Sequence, residues 1–123
     1  VNAWISVALG GMLGCLLRFA ASQWSAEHFP AQSYLATLAV NLIGCALMGT
    51  GYGLFLAKPE LSPALRAGLM AGFLGGLTTF SAFSLDTLRL LESGAVLAAG
   101  FYLTASLIGG LLACWLGLTF AKF

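Results

Sequence analysis

The chain has 123 residues, 60% of them hydrophobic and 7% charged, with a formal net charge of +1. A domain this small is mostly surface, and so few charges cannot solvate it in water. The composition therefore excludes a soluble globular protein, and no nucleic-acid partner is expected of so apolar a chain.

A membrane-spanning helix needs about 20 mainly apolar residues to cross about 30 Å of hydrocarbon. Four such runs fill nearly the whole chain, at 4–24, 34–57, 65–91 and 95–121. SAEHFPAQS, AKPELSP and the neighbourhood of Glu92, Ser93 and Gly94 separate them, where charges, prolines and turn residues collect. The expected fold is an all-α membrane protein, one four-helix transmembrane domain over residues 1–123.

The first run is longer than the apolar core of a signal peptide, lacks a basic leader and is followed by further spans, so it reads as a helix. Val1 and Asn2 are expected to reflect a trimmed start. Arg18 lies about 9 Å of helix rise before Trp24. It either snorkels to the interface as an anchor or borders a water-filled vestibule, attracting anions and bonding to neighbours such as Asn41. Glu27 and His28 fall in the first loop, where an isolated histidine reads as solvated.

The second run carries Thr37, Asn41, Cys45 and Gly49 at intervals of four, one stripe that puts a carboxamide inside the span. The third contains GGLTTFSAF at 75–83. Adjacent Gly75 and Gly76 weaken a helix, and the hydroxyls of Thr78, Thr79 and Ser81 can cap the groups that a break frees. A helix interruption inside hydrocarbon is tolerated only where protein or a polar cavity covers it. The expected break, near the bilayer midplane, would aim helix ends at one spot, as ion-handling membrane proteins do. The competing reading is a continuous helix whose glycines only permit close packing. In the fourth run, Tyr102 and Ser106 lie one turn apart and can join Asn41, Thr79 and Ser81 in a polar track; interhelical hydrogen bonding alone is the plainer alternative.

This track offers amide and hydroxyl donors. Its spans hold no carboxylate near the middle, since Glu27, Glu60 and Glu92 fall in loops and Asp86 near the end of the third run, which argues against a cation or proton carrier. Phe80 and Phe83, three apart, share a helix face, and aromatic rings present positive edges that a small anion can meet; ordinary packing is the other account of such a pair. Cys15, Cys45 and Cys114 lack metal-site spacing and are expected as buried free thiols. No catalytic constellation can be assembled, so no enzyme is expected.

Lys58, Arg66 and Lys122 fall on the side of the termini, against Arg89, and Arg18 if it reaches the surface, on the other, a weak bias compatible with insertion both ways. Small residues spaced by four mark every helix: Gly10 and Gly14; Gly49 and Gly53; Gly68, Gly72 and Gly76; Ala105, Gly109, Ala113 and Gly117. Four helices are not expected to use all these faces internally, which favours an oligomer.

GGMLGCLLRF at 10–19, NLIG at 41–44 and above all GFLGGLTTFSAFS at 72–84 resemble the small fluoride channels of the Fluc, or CrcB, family. The resemblance extends over the whole chain, with the motifs of the first three helices in order. It implies passive fluoride export, protecting the cell, by an antiparallel, dual-topology homodimer in the bacterial plasma (inner) membrane, with two pores and a structural Na+ at the dimer centre. Phe80 and Phe83 match the phenylalanines lining the fluoride path and Asn41 the pore asparagine. Gly75 and Thr78 match the positions whose carbonyls hold sodium, Arg18 the vestibule arginine, and Tyr102 and Ser106 the start of the polar track. Ala82 departs from the usual TTFSTF, and Gly110 stands where a further serine is common. The main rival is a small four-helix multidrug or cation exporter, which would need an intramembrane carboxylate that the first span lacks; a non-transporting scaffold would not need the TTFS segment.

Overall fold

The computed structural model describes residues 2–122; Val1, read above as part of a trimmed start, lies outside them. Among the described residues, four helical segments are long and apolar enough to cross a membrane: Ala3–His28, Tyr34–Ala57, Pro63–Glu92 and Val96–Ala121. Local chemistry sets their ends. Helix α1 (Ala3–His28) starts where the Asn2 side chain accepts the Trp4 N–H at 2.7 Å, satisfying one of the donors that a helix start leaves free. Pro30 opens a short 3-10 turn, Pro30–Gln32, before α2 (Tyr34–Ala57).

Ser62 caps α3 (Pro63–Arg66) by accepting the Leu65 N–H at 3.0 Å, with Pro63 at the first helical position, where its missing N–H costs nothing. The chain continues as a π-helical segment, Ala67–Leu74, then α4 (Gly75–Leu77), α5 (Phe80–Glu92) and α6 (Val96–Ala121). Gly94, at φ +82°, makes the turn into α6 in a left-handed conformation that a side chain would strain.

Helix α1 packs chiefly on the π-helical segment and α4, and α2 chiefly on α6. Both contacts run parallel: Gly10 meets Gly68, and Gly14 meets Phe73 and Leu77; Gly49 meets Cys114, and Gly53 meets Leu118 and Ala121. A Cβ on Gly10, Gly14, Gly49 or Gly117 would run into a carbonyl oxygen of the facing helix. With lipid on the outside there is no hydrophobic drive between helices, so backbone approach of this kind supplies the attraction. These small-residue faces are thus consumed within one chain, which corrects the expectation that they would be left for an oligomer. The outward surface is apolar, with Leu97 91% and Phe120 83% exposed, as acyl chains require.

Two further expectations are corrected. Glu27 and His28 belong to the last turn of α1, not to a loop, and His28 stacks on Trp24 with ring centroids 4.7 Å apart. The three cysteines are free, but none is fully buried: Cys15 is exposed, and Cys45 and Cys114 are half-buried. Cys15 stays exposed although it shares a face of α1 with Gly11, its Sγ lying 3.2 Å from where a Cβ on Gly76 would stand.

Candidate functional site

Thr78 and Thr79, between α4 and α5, are extended, at φ −89°, ψ 154° and φ −152°, ψ 128°. Their hydroxyls finish the flanking helices. Thr78 Oγ1 donates to the Leu74 carbonyl at 2.8 Å, beside the Thr78 N–H on the same oxygen at 3.0 Å. Thr79 Oγ1 accepts the Ala82 N–H at 3.2 Å and so caps α5. Ala82, where the resemblance leads one to expect threonine, lacks a hydroxyl, yet its N–H is satisfied.

The extended residues also need partners for their own peptide groups, and α2 supplies them. Asn41 Oδ1 accepts the Thr79 N–H at 2.8 Å while Asn41 Nδ2 donates to the Thr79 carbonyl at 3.0 Å. One carboxamide thus does for Thr79 what a neighbouring strand would do, and this pairing fixes the orientation of the amide. On the other side, Arg18 Nε donates to the Gly76 carbonyl at 3.0 Å. Its partner is Gly76 rather than the expected Asn41, because α1 packs against the glycine line of the third span and α2 does not separate them. With Gly76 and Thr79 satisfied, the carbonyls of Gly75 and Thr78 receive no hydrogen bond among the described residues.

A cavity of about 470 Å³ opens beside this segment, lined by Asn41, Cys45, Gly75, Thr78, Thr79, Phe80, Phe83 and Ser106 among others. Ser106 Oγ is buried with no hydrogen-bond partner among the described residues, and Asn41 Nδ2 keeps a second hydrogen beyond the one given to Thr79. The Phe80 and Phe83 centroids are 5.6 Å apart with rings tilted by 56°. Phe80 is 74% exposed and Phe83 6%. A larger cavity of about 590 Å³, between the starts of α1 and α3, is lined by Ala3, Ser6, Ser62, Pro63, Ala64 and Leu65; it lacks both charge and orphaned groups, so the chemistry favours the smaller one.

Of the remaining candidates, Ser81 is exposed, with its hydroxyl 3.3 Å from that of Thr79. Tyr102 does not line the cavity. It is fully buried behind Phe83, whose ring it meets edge-on at 5.2 Å, and its hydroxyl donates to Asp86 Oδ2 at 3.2 Å. Gly110 lies on the α2–α6 seam against Cys45 Sγ, outside the cavity lining. The Asp86–Tyr102 pair was missed from sequence; a carboxylate near the end of a span with a tyrosine facing it was the available signal. Met48 and Gly44 also line the cavity, and their four-residue spacing from Gly44 to Met48, following Asn41, was the trace they left.

Comparison with known proteins accords with this geometry. The family described as CrcB-like protein, Camphor Resistance (CrcB), matches residues 5–118. A protein named fluoride-specific ion channel FluC from Azotobacter vinelandii is 62% identical over 122 residues, 99% of this chain and 98% of its own. Proteins of the same name from Pseudomonas putida and Stutzerimonas stutzeri are 58% and 56% identical, over 96% and 95% of this chain and 95% and 94% of theirs. With a family match over nearly its whole length and relatives this similar, the chain belongs to the CrcB-like family.

Proposed function

We propose that this chain is a fluoride-selective channel that conducts passively, working as an antiparallel homodimer in the bacterial inner membrane, where the third span is interrupted near the midplane. The relatives carry the name of an ion channel and not of an enzyme. The observation that carries the reading is the donor-lined cavity at Thr78 and Thr79, with unpaired Ser106 Oγ, the spare Asn41 hydrogen and the Phe80–Phe83 pair around one space.

Fluoride is small and strongly hydrated, so a narrow path must replace its water with fixed donors. Ser106 and Asn41 supply hydrogen-bond donors, and the rings supply positively polarised edges. Asn41 is held rigid by its two bonds to Thr79, so its free hydrogen is aimed without reorganisation when the ion arrives. Thr79 and Ser81 extend the hydroxyl supply; Tyr102 holds Phe83 in place rather than touching the ion. The undissociated acid crosses the bilayer and releases fluoride in the more alkaline cytoplasm, from which a passive anion path lets a negative membrane potential drive the ion out.

The Gly75 and Thr78 carbonyls suit a hard monovalent cation, since they are oxygen donors left without hydrogen bonds. Na+ bound there, between the paired segments of two copies, would supply positive charge that lowers the cost of an anion at that depth. The test is fluoride efflux from liposomes with valinomycin, alongside a chloride-loaded sample. Selective fluoride release is expected; release of neither ion from folded protein overturns the reading.

A further inference from the structure

Arg18 was read from sequence as an interfacial anchor or an anion-attracting vestibule charge. Its geometry assigns it another task. The interruption frees successive carbonyls at the end of α4, and they point into a low-dielectric region where an unpaired carbonyl is costly. Asn41 takes that of Thr79, and Arg18 Nε, from a residue 58 positions earlier in the chain, takes that of Gly76 at 3.0 Å. Those of Gly75 and Thr78 receive no hydrogen bond among the described residues, the Thr78 and Thr79 N–H groups being taken by Leu74 and Asn41. Gly76 permits this reach: a Cβ there would stand 2.7 Å from the Gly11 carbonyl and 3.2 Å from Cys15 Sγ, so a larger residue would lever α1, and Arg18 with it, away.

Resting on the channel reading above, we infer that Arg18 is a positioning residue for the cation site: by holding the Gly76 carbonyl it fixes the end of α4 and keeps the Gly75 and Thr78 carbonyls turned towards the ion. What matters on this account is the N–H donor at the Nε position, not the charge. The two can be separated chemically. The amide nitrogen of glutamine stands the same number of bonds from Cα as arginine Nε, so Arg18→Gln keeps the donor and removes the charge, whereas Arg18→Met reaches as far as the Nε position and removes both.

The readout is the thermal unfolding midpoint of the purified protein in detergent, titrated with NaCl against N-methylglucamine chloride at constant ionic strength. Wild type and Arg18→Gln are expected to be stabilised over the same sodium range, and Arg18→Met to need about ten-fold more sodium, the equivalent of one lost hydrogen bond to a carbonyl. Should Arg18→Met not fold, Arg18→Lys replaces it; it keeps the charge and moves the donor one bond outward, and it is expected to shift in the same direction. Arg18→Gln behaving like Arg18→Met overturns the proposal, because charge would then be the active property. So does tighter sodium binding in Arg18→Met, which would mean that the arginine merely repels the cation. A wild type that conducts fluoride but gains no stability from sodium also overturns it while leaving the channel reading intact, whereas a wild type that conducts nothing removes the channel reading itself.

Discussion

Replacing Asn41 by alanine removes both bonds that hold Thr79 extended, at 2.8 and 3.0 Å. Polar contacts between membrane helices average about 0.6 kcal/mol, which gives a typical value of about 1.2 kcal/mol for the two. Leaving a buried N–H and C=O wholly unsatisfied would cost about 1–3 kcal/mol each. Asn41 is only partly buried and borders a cavity, so water can re-satisfy some of that loss. The expected destabilisation is therefore about 1–2 kcal/mol, near that typical value. It can be measured as the shift in the unfolding transition when SDS is titrated into mixed micelles, followed by tryptophan fluorescence. Asn41→Asp sharpens the test: it keeps an acceptor for the Thr79 N–H but sets a carboxylate against the Thr79 carbonyl, so it should be no more stable than alanine and should also suppress fluoride flux. An Asn41→Ala protein that unfolds as wild type does would refute the account of Asn41 as the partner that maintains the extended segment.

Two further pairs of substitutions probe packing and path. Gly14→Ala places a Cβ against the Phe73 carbonyl and must force α1 off the third span, lowering the folded yield in size-exclusion chromatography, whereas Gly100, with nothing within 4 Å, should accept alanine with a gain of up to about 1 kcal/mol from helix propensity; equal behaviour of the two would show that the close approach is not needed. Phe80→Ile should leave stability nearly unchanged, since Phe80 is 74% exposed in a single chain, while Phe83→Ile, at 6%, should cost about 1 kcal/mol or more. Both are expected to abolish fluoride efflux from liposomes, and retained flux in the stable Phe80 variant would remove the aromatic pair from the path.

Much of the candidate site was legible because membrane sequences leave few polar residues to choose among. Asn41, Thr79, Phe83 and Ser106 stand out against leucine and alanine on composition alone, and the structure brings them around one cavity. Pairings were less legible. Asn41 and Thr79 are 38 residues apart, and nothing in either helix says that a carboxamide on one will take both peptide groups of the other. Tyr102 fitted a polar stripe by spacing, yet its hydroxyl turns to Asp86 and its ring fills the space behind Phe83.

By itself the sequence determined that the chain lives in lipid and forms four span-length helices, because hydrocarbon thickness and backbone satisfaction leave no other use for four apolar runs joined by turn residues. It also determined where helix propensity is weakest, at the glycines and threonines from Gly75 to Thr79. Only the tertiary structure decided which glycine faces meet which, and so that they are spent inside the chain. The same packing decided that Arg18 reaches Gly76 while the Gly75 and Thr78 carbonyls stay open among the described residues. These outcomes depend on which helices become neighbours. Periodicity reports only which way each helix faces along its own axis, whereas a hydrogen bond or a carbonyl contact is settled by the ångström-scale approach of two helices.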